Sequence, residues 1–248
     1  MCIDENRFET ACNKIIGIQR ERQGIGTLSE KTIHAVLKNY YAPDLDMHEI
    51  PIENFVADIY TGQEIIEIQT RAFDKMRRKL DAFLPLYPVT IVYPIPHIKW
   101  LSWIDEQTGE TSPKRKSPKT GSAYMAFKEL YKIRPYLQNP NLHLKIALID
   151  MEEYRLLNGW SRDKKKGSER YDRIPVKFEE EISIDRKEDY MQFVPYDLSE
   201  PFTTKDFAKA AKINERLAGV ALLILNDLEI VIRVGKKGNA YLYEVKSY

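Results

Sequence analysis

The sequence is poor in the features that define several protein classes. It has two cysteines, too few for a disulfide framework, and no spacing of cysteine and histidine resembles a zinc site. No charged and then apolar leader follows Met1, and the longest apolar run, residues 220–225, is far shorter than the roughly 20 residues of a membrane span. We therefore expect a soluble, reduced, cytoplasmic protein with no membrane partner.

A strong excess of one charge is also lacking. The 38 basic and 37 acidic residues leave a formal net charge of +1, which excludes a general polyanion-binding protein. Any affinity for nucleic acid must come from local basic patches. What is present is typical of a folded chain, because 43% of the residues are hydrophobic and 11% are aromatic. A length of 248 residues fits one large domain or a domain with an appendage.

Hydrophobic periodicity in the first 93 residues predicts an α/β core. An N-terminal segment with apolar residues three and four apart, and a second one at residues 33–41, are amphipathic helices. Residues 55–60 and 64–70 resemble the two strands of a hairpin, and residues 71–84 are helical. Residues 89–93 are a short apolar strand of the kind that is covered on both faces. Strands that alternate with helices in this way favour the α/β class.

The remainder of the chain contains fewer clear periodic segments. In residues 94–185 the sequence predicts a surface loop at 105–121, a helix at 122–136, a strand at 142–150 and a strand or hairpin at 174–184. The last fifty residues have the order helix, turn, helix and β-hairpin, which is the order of a winged helix. We therefore predict one domain over residues 1–197 and a winged-helix-like domain over residues 198–248. Its second helix is largely apolar, so protein packing or dimerisation suits it at least as well as DNA binding.

Two acidic residues on neighbouring strands form the strongest candidate site. Glu67 and Gln69 are two positions apart and share one face of their strand. If the connection to the preceding strand has two or four residues, Asp58 lies on that same face, whereas three residues would separate the faces. Two carboxylates on one apolar face repel each other unless a cation lies between them. Mg²⁺ prefers such oxygen ligands and can activate water for phosphodiester hydrolysis, and Gln69 could orient that water.

The order of these elements resembles the PD-(D/E)XK nuclease superfamily. Ala57-Asp58 is similar to the Pro-Asp of that family, and Glu67-Ile68-Gln69 is similar to its (Asp/Glu)-x-Lys. The resemblance implies a restriction-endonuclease-like mixed sheet flanked by helices. It also implies that Asp58, Glu67 and the carbonyl of Ile68 hold Mg²⁺ or Mn²⁺, and that Glu30 on the preceding helix assists catalysis. The implied partner is nucleic acid, DNA or alternatively RNA, and the implied assembly is a homodimer.

Two departures from the family pattern leave alternatives open. Ala57 replaces proline, which matters little, whereas Gln69 replaces the lysine that supplies positive charge to the transition state. Lys75 or Lys79 in the next helix could substitute for it. The alternative is a nuclease-fold protein without catalysis that binds nucleic acid or another protein. Glu30 could equally be a capping-box residue, and the two hairpin acids could pair with basic side chains.

Basic residues in two places are candidates for contact with a phosphate backbone. They are Arg71, Lys75 and Arg78, which follow the motif, and Lys164, Lys165 and Lys166, which lie in a charged loop. For any one of these residues, a solvated surface position is the simpler interpretation.

Overall fold

A computed structural model describes residues 3–21, 32–159 and 169–246, and its contacts divide the chain into two compact units. Unit 1 comprises the described residues within 1–61, 94–122 and 147–181, and unit 2 comprises those within 62–93, 123–146 and 182–248. The fold is mixed α/β: its described strands include a seven-stranded mixed sheet, flanked by helices, and a two-stranded sheet. No helix in the described part of the chain is long and apolar enough to cross a membrane.

Unit 1 contains two helices that pack on each other, α1 (Glu5–Glu21) and α2 (Thr32–Tyr41). Both confirm the helices predicted from periodicity. The ring of Phe8 in α1 lies 5.8 Å from that of Tyr40 in α2, and each of these rings lies 5.3 Å from the ring of Phe178. The apolar stripes of the two helices therefore converge on one aromatic cluster. The proposed capping box around Glu30 lies outside the described residues.

The strands of unit 1 include two that the sequence did not predict: His48–Ile52, and Arg115–Lys116 within the predicted loop at residues 105–121. β1 (His48–Ile52) pairs antiparallel with β2 (Phe55–Tyr60) across a tight turn. Unit 1 also holds the later part of β4 (Val89–Ile104), the two-residue β5 (Arg115–Lys116), and parts of β6 (Leu142–Leu156) and β7 (Arg170–Ile184). β6 lies between β4 and β7 in the sheet, and β5 pairs antiparallel with β4.

In unit 2, β3 (Ile65–Ile68) pairs parallel with the first part of β4, and all four of its residues are buried. Burial of residues 89–92 confirms the predicted apolar strand, but β4 runs eleven residues beyond its predicted end at residue 93. Pro94 and Pro96 lie in this continuation. They are tolerated because the β3 register ends at the Ile68–Val92 pair, so their missing N–H groups remove no bond to β3.

Two predicted helices of unit 2 differ in detail from the observed elements. The helix predicted over residues 71–84 is a 3₁₀ turn (Phe73–Met76) followed by α3 (Arg77–Phe83). It starts late because Ala72 has a left-handed backbone conformation, with φ 58° and ψ 51°. The helix predicted over residues 122–136 is wrong as a single element. Only α4 (Phe127–Leu130) is α-helical, and the 3₁₀ turn after it contains Pro135, which cannot donate a backbone hydrogen bond.

The C-terminal elements confirm the predicted order helix, helix, hairpin. They are α5 (Thr204–Ala210), α6 (Glu215–Asp227), β8 (Val231–Lys237) and β9 (Ala240–Val245). α6 packs against α4 and its flanking turns, and its buried residues are Leu217, Ala218, Ala221, Leu222, Ile224 and Leu225. The apolar helix therefore forms part of the core of unit 2. The boundary at residue 197 stays a prediction.

Candidate functional site

Glu67, the second acid of the motif, is held by a lysine from the following helix. Its side chain is 4% exposed at the centre of β3. Nζ of Lys79, in α3, donates to both carboxylate oxygens, at 3.0 Å to Oε1 and 2.8 Å to Oε2. Of the two lysines that the sequence offered as a substitute for the missing motif lysine, Lys79 therefore contacts Glu67, whereas Lys75 is exposed. The pair places a positive charge beside a buried carboxylate.

Gln69 lies just past the end of β3, where its side chain supports the turn into α3. Its Nε2 donates to the carbonyl of Arg71 at 2.5 Å and approaches the carbonyl of Ala72 at 3.5 Å. These contacts account for the amide nitrogen, while Oε1 remains an acceptor. The predicted role of Gln69 in orienting water stays a prediction.

Replacing Ala72 with glycine is expected to raise the free energy of unfolding by about 0.5–1 kcal/mol, because a side chain is unfavourable in the left-handed region. Replacing Ala82, inside α3, with glycine should lower it by about 1 kcal/mol, since glycine there weakens a regular helix. Urea denaturation of both variants measures the two changes. A loss of stability in both would show that the turn is not strained at Ala72.

Asp58, the first acid, lies on β2 in unit 1 and contacts a histidine. Oδ2 of Asp58 is 3.1 Å from Nε2 of His34, on α2. Both side chains are partly exposed, so solvent reaches this pair. The segment between β2 and β3 has four residues, 61–64, which is one of the two lengths that the shared-face hypothesis requires. Glu67 belongs to unit 2.

The predicted nucleic-acid contacts are described in part. Arg71, Lys75 and Arg78 are exposed, and no acidic partner is found for them within the described ranges. They are therefore open to an anionic ligand. Lys164, Lys165 and Lys166 lie in residues 160–168, which are outside the described part of the chain.

A second ionic site, built around Glu153 in unit 1, was not predicted from the sequence. This residue lies on β6, the strand between β4 and β7, and its side chain is fully buried. Four cations surround it, and we name Lys99, Arg155, Arg170, Arg173 and Glu153 the Glu153 cluster. Its members come from three strands of residues 94–185, so no local spacing in the sequence indicated it.

Each neighbouring strand contributes to the Glu153 cluster. From β4, Nζ of Lys99 lies 3.3 Å from Oε2 of Glu153, and from β7, Nε of Arg173 lies 3.2 Å from the same oxygen. Arg155, two residues along β6, donates to Oε1 from Nε at 2.8 Å and from Nη2 at 2.5 Å. Nε of Arg170 lies 3.4 Å from Oε2. Both carboxylate oxygens therefore have charged partners.

The electrostatics of the Glu153 cluster favour the charged state of the acid. Burial by itself would raise the pKa of Glu153, but the neighbouring cations, led by Lys99 and Arg173, outweigh burial and lower that pKa to about 2. Burial lowers the pKa of Lys99, an effect that Glu153 opposes and the two arginines Arg173 and Arg155 reinforce. The cations therefore repel one another around Glu153.

A third group, His97, Asp150 and Glu179, has the composition of a metal site. Its ligand atoms lie within 4.8 Å of one another. Protein partners already account for them. Nδ1 of His97 is 2.9 Å from Oδ1 of Asp150, the N–H of Ile98 donates to that same oxygen at 2.8 Å, and Lys177 lies 2.6 Å from the exposed Glu179. The group is therefore a cluster of one buried and two more accessible side chains whose polar atoms already have protein partners.

The sequence profile of one family, described as a domain of unknown function (DUF8091), matches residues 31–185, more than half of the chain. The chain belongs to the DUF8091 family. The DUF8091 region includes Asp58, Glu67, Lys79 and the whole Glu153 cluster. It ends before α5, so the C-terminal helices and hairpin lie outside it.

This DUF8091 protein was also compared with curated proteins and with solved structures. It is 26% identical over 167 residues to an uncharacterised protein of Treponema pallidum (strain Nichols), a match that covers 67% of this chain. The match covers 64% of that relative, so the chain spans less than two thirds of its length. No solved structure matches the chain significantly.

Proposed function

We propose that this DUF8091 protein is a metal-dependent nuclease that hydrolyses phosphodiester bonds of DNA, with RNA as the alternative substrate. One observation carries the proposal: Lys79 contacts both carboxylate oxygens of Glu67. The weakest point of the resemblance to the PD-(D/E)XK nucleases is the glutamine in place of the motif lysine. An ammonium from α3 beside the second acid supplies the positive charge that Gln69 lacks.

The proposed site uses oxygen ligands that suit a hard divalent cation. Asp58, Glu67 and the carbonyl of Ile68 would hold Mg²⁺ or Mn²⁺. Glu67 has the ligand type for this role, because carboxylate oxygens suit a hard divalent cation. The ion would lower the pKa of a bound water and polarise the phosphoryl oxygen. Lys79 would stabilise the negative charge that develops on the phosphate, and Oε1 of Gln69 would accept a hydrogen bond from the attacking water.

The finer features of the fold belong to the same proposal. They are a restriction-endonuclease-like architecture for residues 1–197 and a winged-helix-like domain for residues 198–248. Two observations support them. β3 and β4 pair in parallel and are connected through α3, and the C-terminal elements have the order helix, helix and hairpin. The exposed Arg71, Lys75 and Arg78 would contact phosphates beside the site, and a homodimer would cut both strands of a duplex.

A cleavage assay tests the proposal directly. Labelled plasmid, linear duplex, single strand, branched DNA and RNA are incubated with Mg²⁺ or Mn²⁺, or with EDTA. The wild type, Asp58→Asn and Glu67→Gln are compared with Glu180→Gln, a control at an exposed position on β7. We expect metal-dependent cutting by the wild type and the control, and a loss of roughly 1,000-fold or more in both site variants. Wild-type rates from a folded Glu67→Gln variant would contradict the proposal.

The alternative is a nuclease-fold protein that binds nucleic acid without cutting it. This function is favoured by the ion pair that already neutralises Glu67 and by the backbone contacts that engage the amide of Gln69. It predicts no cutting on any substrate and equal binding by the wild type and both site variants with or without metal. The same assay, run with a binding readout, therefore separates the two functions.

A further inference from the structure

We propose that the Glu153 cluster is a phosphate-binding site on unit 1 that receives the backbone of a nucleic-acid strand. The choice of nucleic acid as the occupant rests on the proposed function, whereas the affinity for phosphate rests on the cluster itself. The cluster has no part in the nuclease-like motif, and its cations lie on β4, β6 and β7.

The cluster carries more positive charge than its acid compensates. Within the described residues, Lys99, Arg155 and Arg173 have Glu153 as their only acidic partner, which leaves two positive charges in excess. Two acids that adjoin cluster residues in the sequence, Glu152 and Asp172, have partners of their own. Glu152 pairs with Lys114 and Tyr154, and Asp172 accepts from Thr32. An anion that enters the cluster would therefore meet uncompensated charge.

The two arginines also keep unused hydrogen-bond donors. A guanidinium has five N–H groups; Glu153 takes two from Arg155 and one from Arg173. The remaining donors have no protein acceptor among the described residues. In the described part of the chain, no side-chain nitrogen of either arginine is both buried and without a partner. The nitrogens that have no protein partner are therefore open to solvent. The side chains of the two arginines and Lys99 are 12–22% exposed, which places a partly desolvated fork of donors at the surface.

Glu153 gives the cluster its rigid geometry. The Glu153 carboxylate, buried on β6, holds at least one side chain from each of the neighbouring strands β4 and β7, so the cations are already in place before an anion binds. Such preorganisation lowers the entropy that binding costs. The lowered pKa of Lys99 agrees with this arrangement, because burial disfavours its charge in the free protein and an added anion would offset that effect.

A neighbouring strand extends the charge and favours a polymer over an isolated phosphate. Ser117 donates to the carbonyl of Lys99 at 2.7 Å, and Arg115 pairs with Leu101. Residues 99 and 101 point to the same face of β4, so Arg115 shares the face of Lys99. It is exposed, and no acidic partner of Arg115 is found in the described ranges. Positive charge on adjacent strands suits the successive phosphates of one nucleic-acid strand.

Binding in EDTA tests the inference separately from cleavage. Anisotropy of a labelled duplex and of a single strand is followed from 50 to 200 mM salt for the wild type, Lys99→Gln, Arg155→Gln and Arg173→Gln. Lys177→Gln, which alters an exposed lysine on β7, is the matched control. Loss of one phosphate contact should weaken binding roughly fivefold to tenfold near 0.1 M salt and reduce the salt slope by about one unit. The control should match the wild type.

A fourth test variant separates a loss of binding from a loss of folding. Arg115→Gln does not touch Glu153, so it should stay folded and still lose affinity and salt slope. Unchanged affinity and slope in folded Arg115→Gln and Arg155→Gln proteins would overturn the inference. Stabilisation by inorganic phosphate without any DNA or RNA binding would overturn the nucleic-acid occupant. Binding that depends on the cluster in a protein that cuts nothing would support the inference and contradict only the nuclease.

Discussion

Replacing Lys79 with methionine is expected to lower the cleavage rate roughly 100- to 1,000-fold at saturating metal and substrate. In the proposed site Lys79 is the group that stabilises charge on the phosphate, and its Nζ lies 2.8 Å from Oε2 of Glu67. Gln69 cannot replace it, because an amide carries no charge. The rate is measured with the best substrate of the cleavage panel, well below the melting temperature of the variant.

The matched control is Lys75→Met, one turn earlier in the same segment, where the lysine is exposed. We expect that variant to keep the wild-type turnover rate and to lose at most some affinity for the substrate. Lys79→Met leaves the buried Glu67 without its lysine, so a lower melting temperature is also expected. A folded Lys79→Met protein that cuts at the wild-type rate would show that the ion pair is purely structural.

Replacing Glu153 with glutamine is expected to lower the free energy of unfolding by roughly 3 kcal/mol at pH 7. The substitution keeps the shape of the side chain but removes the one acidic partner that Lys99, Arg155 and Arg173 have in the described part of the chain. Glu152→Gln is the control, because that acid is partly exposed and its loss should cost about 1 kcal/mol or less. Urea denaturation of the three proteins measures both differences.

The pH dependence of this difference tests its electrostatic origin. The pKa of Glu153 is about 2 in the folded protein, below its ordinary value of 4.5, so its ionisation stabilises the folded state above about pH 4.5. That stabilisation declines as the pH falls from about 4.5 towards 2. The gap in stability between the wild type and Glu153→Gln should therefore be constant near neutral pH and narrow below pH 4.5. A gap that stays constant down to pH 3 would contradict a charge-based origin.

The two sites differ in how far apart in the sequence their residues lie. The Glu67–Lys79 pair joins residues twelve positions apart in one unit, through a strand and the helix that follows it. The Glu153 cluster joins three strands and includes a contact between residues 54 positions apart. Both lie inside the DUF8091 region, whereas the C-terminal elements do not. Together, the two proposals give the DUF8091 region a catalytic site and a separate site that binds the phosphate backbone of a nucleic acid.

The sequence by itself determined the features that depend on local periodicity. Apolar residues three and four apart identified α1 and α2, and short apolar runs identified β2, β3 and the first part of β4. The order of the C-terminal elements followed from the same signals. The spacing of Glu67 and Gln69 marked the candidate motif, and the segment of four residues before β3 has one of the lengths that the hypothesis requires.

Tertiary structure alone decided the features that depend on distant partners. Past Pro94, β4 continues through its pairing with β6 and β5, and the proline removes no bond to β3, whose register has ended. The segment before Pro135 breaks because a proline cannot donate in a helix. The sequence offered Lys75 and Lys79 equally, and the fold of β3 and α3 brings Lys79 to Glu67 while Lys75 is exposed. The Glu153 cluster was invisible for the same reason: no periodicity within one strand records which charges the neighbouring strands bring to it.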